Sequence, residues 1–148
     1  MPSQRVTEGC LVCAKHRGVG PLVGPVVFED DLVVVSHRPG DVLGYLFVET
    51  RRHVPYLDEL TVEEAEAVGR AARSAAAGLR AELDLEFVFS AIVGRAVAHF
   101  HQHVFARHQG TPEALPWDEE WSGAPTGDVV AFSAGLGRYF TNSGPRPR

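Results

Sequence analysis

Three histidines occupy alternate positions in the run His99-Phe100-His101-Gln102-His103. Imidazole can act as a nucleophile, as a proton donor or acceptor near neutral pH, and as a ligand to a transition metal. The chain has 7 histidines, and nearly half of them fall in this one run, which sets it apart from a strand with an occasional buried or solvated histidine. On a β-strand alternate side chains share a face, so the spacing predicts all three rings in one row, with Phe100, Gln102 and Val104 on the other face. At a rise of roughly 3.3 Å per residue, neighbouring rings are about 6.6 Å apart at Cα and the outer two about 13 Å apart. A single metal with bonds of about 2.1 Å gathers two such rings and hardly three, so at least one of them has another task.

Both cysteines of the chain stand in Cys10-Leu11-Val12-Cys13. In a reducing compartment such a pair is a metal knuckle or a redox dithiol sooner than a structural disulfide. The redox motif wants a strand before it and a helix after it, whereas the following Lys15-His16-Arg17-Gly18-Val19-Gly20-Pro21 reads as a loop; the knuckle fits better. Arg107 and His108, directly after the histidine strand, are positioned to reach a phosphate, although a solvated surface is the commoner role for such residues. Trp117 and Trp121 flank Asp118, Glu119 and Glu120 and suit C-terminal packing, with a stacking surface or a dimer contact as alternatives.

The elements that must position these residues follow from local patterns. Val26-Val27-Phe28 and Leu32-Val33-Val34-Val35 read as two short strands around Glu29-Asp30-Asp31, Arg38-Pro39-Gly40-Asp41 as a turn, and Gly44 to Glu49 as a core strand ending in Thr50-Arg51-Arg52-His53. Thr61-Val62-Glu63-Glu64 has capping-box spacing, and the alanine-rich helix it starts runs to about Leu83 with Val68, Ala72, Leu79 and Leu83 as an apolar stripe. Gly69 and Gly78 interrupt it, as close packing against a sheet would require. Leu85 to Ile92 is a further strand, joined through Gly94-Arg95 to a histidine strand over Ala98–Ala106 as an antiparallel hairpin. A short helix is expected near Asp128–Ala134, and a disordered tail over 141–148.

A chain of 148 residues, 45% of them hydrophobic, is expected to form one α+β domain with a real core, an antiparallel sheet, one long helix and a short C-terminal helix. The core should span about residues 10–107 and a C-terminal extension about 108–140. Residues 1–9 lack the basic start and apolar centre of a signal peptide, and no apolar run approaches a membrane span, which predicts a cytoplasmic protein without membrane partner. A net charge of −5 argues against a broad electrostatic grip on nucleic acid and leaves room for a small anionic ligand in a local pocket.

His99-x-His101-x-His103 followed by Val104-Phe105, after a hairpin, behind a long helix and with an N-terminal CxxC, resembles the histidine triad (HIT) family of nucleotide hydrolases and transferases. The likeness covers roughly Cys10 to Arg107. His103, where the uridylyltransferase-like branch carries Gln, is similar to the hydrolase-like branch. The resemblance implies the HIT-like α+β fold, a homodimer and a small-molecule nucleotide substrate. It implies a structural zinc on Cys10, Cys13, His53 and His99, a closed tetrahedral set of two thiolates and two imidazoles without an open position. It also implies His101 as the nucleophile on an α-phosphorus, giving a covalent nucleotidyl-histidine that water hydrolyses, and His103 as the donor that binds and stabilises the phosphate.

The substrates so implied are a nucleoside phosphoramidate, a dinucleoside polyphosphate or a nucleotide conjugate. Nucleotidyl transfer or phosphorolysis, and a non-catalytic nucleotide-binding module, are the alternatives. A catalytic metal held by His99 and His101 together is a further possibility for the triad itself. Family members carry a Gly-Gln-Ser run before the triad, where this chain has Val93-Gly94-Arg95-Ala96-Val97-Ala98. The family's leaving-group serine is therefore replaced by Ala96, and Arg95 can offer a charge-assisted contact to substrate phosphate. Tyr45 stands where many relatives have His after Gly.

Overall fold

Five antiparallel strands make one sheet in the order β1-β2-β3-β5-β4, in a computed structural model that describes residues 8–140. The strands are β1 (Val26–Glu29), β2 (Val33–His37), β3 (Tyr45–Thr50), β4 (Leu85–Ile92) and β5 (His101–His108). The helices are α1 (Leu11–His16), α2 (Val62–Glu82) and α3 (Val129–Leu136). The expected α+β class, sheet and long helix are all present. The tail expected to be disordered lies outside the described residues.

Period-2 alternation divides the sheet into two faces with different duties. Val33, Val35, Leu46, Val48 and Val104 face α2 and form the core with its Ala67, Val68, Ala71, Ala75 and Leu79. The opposite face is aromatic and polar: Tyr45 pairs with Phe105, Phe47 with His103 and Glu49 with His101 across β3 and β5. Helix α2 begins as its sequence dictates. The Glu64 N–H donates to Thr61 Oγ1 at 3.0 Å, the Thr61 N–H donates to Glu64 Oε1 at 2.9 Å, and Asp128 caps α3 in similar manner through its own carboxylate.

Three expectations need correction. Gly78 packs against Leu136 and Tyr139 of the C-terminal elements and not against the sheet, while a side chain at Gly69 would meet open space. Strand β5 starts at His101, not Ala98, because residues 99–100 are drawn down against residues 53–54: the Phe100 N–H donates to Val54 O at 2.7 Å, and its ring is buried in the core. The segment after Cys10 is a short helix rather than a loop from Lys15 onward, since α1 extends to His16.

One glycine is indispensable to the site's geometry. Gly44, at φ +105°, leads directly into β3, and a Cβ there would come within 3.0 Å of Ala106 and Leu83. Its N–H donates to Nε2 of the buried His37, whose Nδ1–H donates to Arg38 O, so the 38–44 turn is closed by a side chain and delivers Tyr45 in register.

Helix α1 buries Val12 and is also tied to the polar face of the sheet by ions. Lys15 Nζ is 2.8 Å and His16 Nε2 3.0 Å from the carboxylate oxygens of Glu49, and Lys15 and Glu49 are both buried. Burial pushes the Glu49 carboxyl up, but the His16 hydrogen bond and the Lys15 charge outweigh it and hold the group below the usual carboxylate range. A carboxyl lowered on folding adds stability above its unfolded pKa and loses it as pH falls through the folded one. Glu49→Gln should therefore cost about 3 kcal/mol at neutral pH by leaving the buried Lys15 charge unpaired. In urea titrations the gap between wild type and variant should narrow as pH drops below about 4; a gap independent of pH would refute the ion pair.

Candidate active site and metal centre

Four of the residues singled out by sequence converge at the N-terminal edge of β5. Helix α1 brings Cys10 and Cys13, the exit of β3 brings His53, and the loop before β5 brings His99; their ligand atoms all lie within 4.8 Å of one another. The Nδ1 of His99 is 3.5 Å from Cys10 Sγ and 3.4 Å from Cys13 Sγ, and the Nδ1 of His53 is 3.4 Å from Cys13 Sγ. A tetrahedral zinc with bonds of about 2.3 Å to sulfur and about 2.1 Å to nitrogen sets sulfur and nitrogen about 3.6 Å apart. The spacing fits that ion.

The surrounding hydrogen bonds favour the same use. The Nε2–H of His99 donates to Thr50 O at 2.6 Å, which leaves the Nδ1 lone pair directed at the thiols, as for a metal-bound imidazole held from behind by a carbonyl. Burial lowers the pKa of His99 to about 4, so the ring is neutral and able to ligate. The Cys13 thiol is pushed up to about 11, first by burial and then by its neighbour Cys10, with Arg17 opposing. A buried, protonated Cys13 thiol crowded against a second cysteine is a state that a divalent cation relieves, releasing a proton as it binds. The Cys13 N–H also donates to Cys10 Sγ at 3.3 Å, the backbone contact of a knuckle.

His101 is outside this cluster, which removes the arrangement with His99 and His101 on one ion. Only His101 and His103 form the row on the strand face, their ring centroids 5.2 Å apart, whereas His99 sits edge-on to His16 and His53 at 5.5 Å and 5.2 Å. The Nδ1–H of His101 donates to His99 O at 2.7 Å. A carbonyl can only accept, so Nδ1 carries a proton, and whenever the ring holds a single proton the Nε2 lone pair is free. His103 Nδ1 is 2.7 Å from the Tyr45 hydroxyl. Burial lowers the pKa of His103, helped by repulsion from His101 whenever that ring is protonated and by the Arg38 charge, and opposed by Glu49.

A cavity of about 610 Å³ opens beside His103, floored by Tyr45, Phe89 and Phe105 and walled by Trp117 and Trp121 of the C-terminal extension. Trp117 stacks on Phe105 at 6.1 Å. The tryptophans thus pack, as expected, and at the same time shape the cavity. Arg107 and His108 are not solvated. Arg107 is held by Glu86 and by the carbonyls of Leu115 and Pro112, and His108 is buried with Nε2 3.0 Å from Leu43 O. Arg95 is exposed in the loop between β4 and β5 and has no hydrogen bond or ion pair with a described residue.

Sequence reading passed over two groups near the histidines. Arg38, read only as part of a turn, lies with its guanidinium 4.3 Å from the centre of the Tyr45 ring. Tyr45, noted only as a departure, reaches His103 because both lie on the same face of paired strands. Alternation along β3 puts Tyr45 on one face with Phe47 and Glu49, but the pairing of β3 with β5 is not written in either segment.

The sequence model of the family described as HIT domain matches residues 24–110. No curated protein sequence matches at a significant level. Among solved structures, the chain is similar to a Zn-bound histidine triad family protein from Mycobacterium smegmatis, with TM-score 0.67 and 18% identity, covering 90% of this chain and 94% of that one. It is equally similar in fold to a Hit-like protein involved in cell-cycle regulation from Bartonella henselae, with TM-score 0.67, 16% identity and coverage of 89% and 97%. A histidine triad nucleotide-binding protein from Sulfolobus tokodaii aligns with TM-score 0.58, 16% identity and 86% of both chains.

The protein should purify with about one zinc per chain by elemental analysis, and Cys13→Ser or His53→Ala should fall well below that. Stripping zinc with a chelator should lower the melting temperature, because metal binding to a site that exists only on folding is folding free energy. Full zinc occupancy in both variants would exclude these ligands.

Proposed function

The chain belongs to the HIT domain family, and we propose that it is a nucleotide hydrolase. In this reading it cleaves a nucleoside phosphoramidate, a dinucleoside polyphosphate or a related nucleotide conjugate at the α-phosphate through a covalent intermediate on His101. The observation that carries the reading is the hydrogen bond from His101 Nδ1–H to His99 O, which leaves a bare Nε2 beside His103 near an open cavity. A neutral imidazole with its second nitrogen already committed is an activated nucleophile that needs no separate base.

The reaction follows from the two rings. The Nε2 lone pair of His101 attacks the α-phosphorus in line, forming a P–N bond while the bond to the leaving group breaks. The departing group takes the electron pair and picks up a proton from solvent. The positive charge left on the ring is stabilised by His99 O, which accepts from Nδ1. His103 donates to a non-bridging oxygen as negative charge gathers there. Water then attacks the same phosphorus and gives up a proton to solvent, while the P–N bond breaks and returns its electron pair to Nε2, regenerating neutral His101. Arg95, on its exposed loop, is proposed to contact substrate phosphate, and Ala96 supplies no hydroxyl to the leaving group. The zinc cluster has a structural role: it holds His99, and His99 O holds His101.

The wider setting is part of the same proposal. We place the protein in the cytoplasm, where Cys10 and Cys13 stay reduced; among the described residues no helix is long and apolar enough to cross a membrane. A homodimer is proposed because β4 is an edge strand of the sheet and leaves Phe87, Ile92 and Val93 exposed. Sedimentation of the purified protein checks this, and a monomer at micromolar concentration would contradict it.

The activity is tested by AMP release from adenosine 5′-phosphoramidate and from a panel of dinucleoside polyphosphates. Wild type should turn over at least one of them, and His101→Ala, matched in melting temperature, should be slower by at least about a thousandfold. Equal rates would overturn the assignment of His101. Tight nucleotide binding without turnover would favour the binding module, in line with Ala96.

A further inference from the structure

Two imidazoles two residues apart on one strand present the same atoms to the same space, yet the proposed chemistry needs them to behave in opposite ways. His101 must show a lone pair and His103 an N–H. For His101 the partner of Nδ1 is a carbonyl, which can only accept. For His103 the partner of Nδ1 is the Tyr45 hydroxyl at 2.7 Å, which can donate. We propose that Tyr45 is a positioning residue that fixes His103 in the tautomer with its proton on Nε2, the opposite of the tautomer that His99 O imposes on His101.

Tyr45 is well placed to hold one orientation. Its ring stacks on Phe105 at 4.8 Å with an angle of 8° between planes, lies 5.3 Å from Phe47, and is covered by the Arg38 guanidinium at 4.3 Å. The Tyr45 and His103 rings are nearly perpendicular, at 88°, and the hydroxyl meets the imidazole at Nδ1. Tyr45 has no other hydrogen-bond acceptor among the described residues. Burial raises the phenol above its ordinary pKa and the Arg38 charge offsets this only in part, so the hydroxyl keeps its proton. Burial first, with the Arg38 charge acting in the same direction, lowers the His103 pKa and so favours the neutral ring. A neutral imidazole has one N–H and one lone pair. With the lone pair on Nδ1 engaged by the tyrosine, the N–H is on Nε2, where it can donate to a phosphoryl oxygen.

The catalytic consequence rests on the hydrolase reading, whereas the tautomer does not, and the experiment separates them. Long-range ¹H–¹⁵N spectra of the histidine rings, assigned with His101→Ala and His103→Ala, should show His101 as the Nδ1–H form and His103 as the Nε2–H form in the wild-type protein. Tyr45→Phe keeps the ring and its stacking. It should leave the melting temperature within a few degrees of wild type, move His103 toward a mixture of tautomers, leave His101 unchanged and lower kcat/KM for a cleaved nucleotide at least tenfold. An Nδ1–H form of His103 in wild type would overturn the proposal, as would a Tyr45→Phe variant with unaltered tautomer or unaltered kcat/KM. If the tautomers are as stated and respond to Tyr45→Phe while neither protein turns over any nucleotide, the positioning of His103 stands and the hydrolase reading fails.

Discussion

His99 is held at both ends, and that constraint organises everything around it. Its ring is buried, with Nε2–H donating to Thr50 O and Nδ1 directed at Cys10 and Cys13. Its carbonyl accepts from His101. The residue therefore transmits the rigidity of a metal centre, one peptide unit at a time, to the ring proposed to do the chemistry. A loop that precedes a strand is ordinarily the mobile part of a hairpin. Here its last two residues are held fast, because the His99 ring, the His99 carbonyl and the Phe100 N–H are each committed.

The rest of the fold supplies that constraint from several directions. Residues 53–54 run alongside 99–100, so His53 reaches the thiols and Val54 O receives the Phe100 N–H. Phe100 sinks into the core beneath. Helix α1 contributes both cysteines and, one turn later, the Lys15 and His16 that clamp Glu49 directly across from His101. The metal site and the proposed reaction site thus meet at one junction between α1, β3 and β5. The second ring of the pair depends on a different support, the Gly44 turn and the aromatic floor that aims Tyr45.

Much of this was legible in the sequence because it is local. Thr61 and Glu64 are three residues apart and cap the helix between them, and the alternate histidines and the CxxC each state their chemistry in a few residues. What local pattern cannot state is which distant partner completes a group. Tyr45 and His103 are 58 positions apart, and their contact exists only once β3 and β5 are in register. Arg107 and His108 look solvent-facing in a polar run, yet the carbonyls of Pro112 and Leu115 engage the first and the distant carbonyl of Leu43 meets the second. The late start of β5 has the same origin: residues 98–100 carry a strand-like pattern, but the thiols engage His99 and Val54 O engages the Phe100 N–H. Helix α1 is too short for periodicity to reveal, and its start is set by the Cys10 side chain that caps it.

The central claim is that the free nitrogen of His101 forms a bond to phosphorus. The direct measurement is a rapid quench, at alkaline pH where a phosphorus–nitrogen bond to histidine survives, of the protein reacting with a nucleotide labelled at the α-phosphate. Peptide mapping by mass spectrometry then locates the adduct. The account predicts a nucleotidyl group on His101 that forms and decays at rates compatible with turnover. Product formed with no adduct, or an adduct on any other residue, would contradict it.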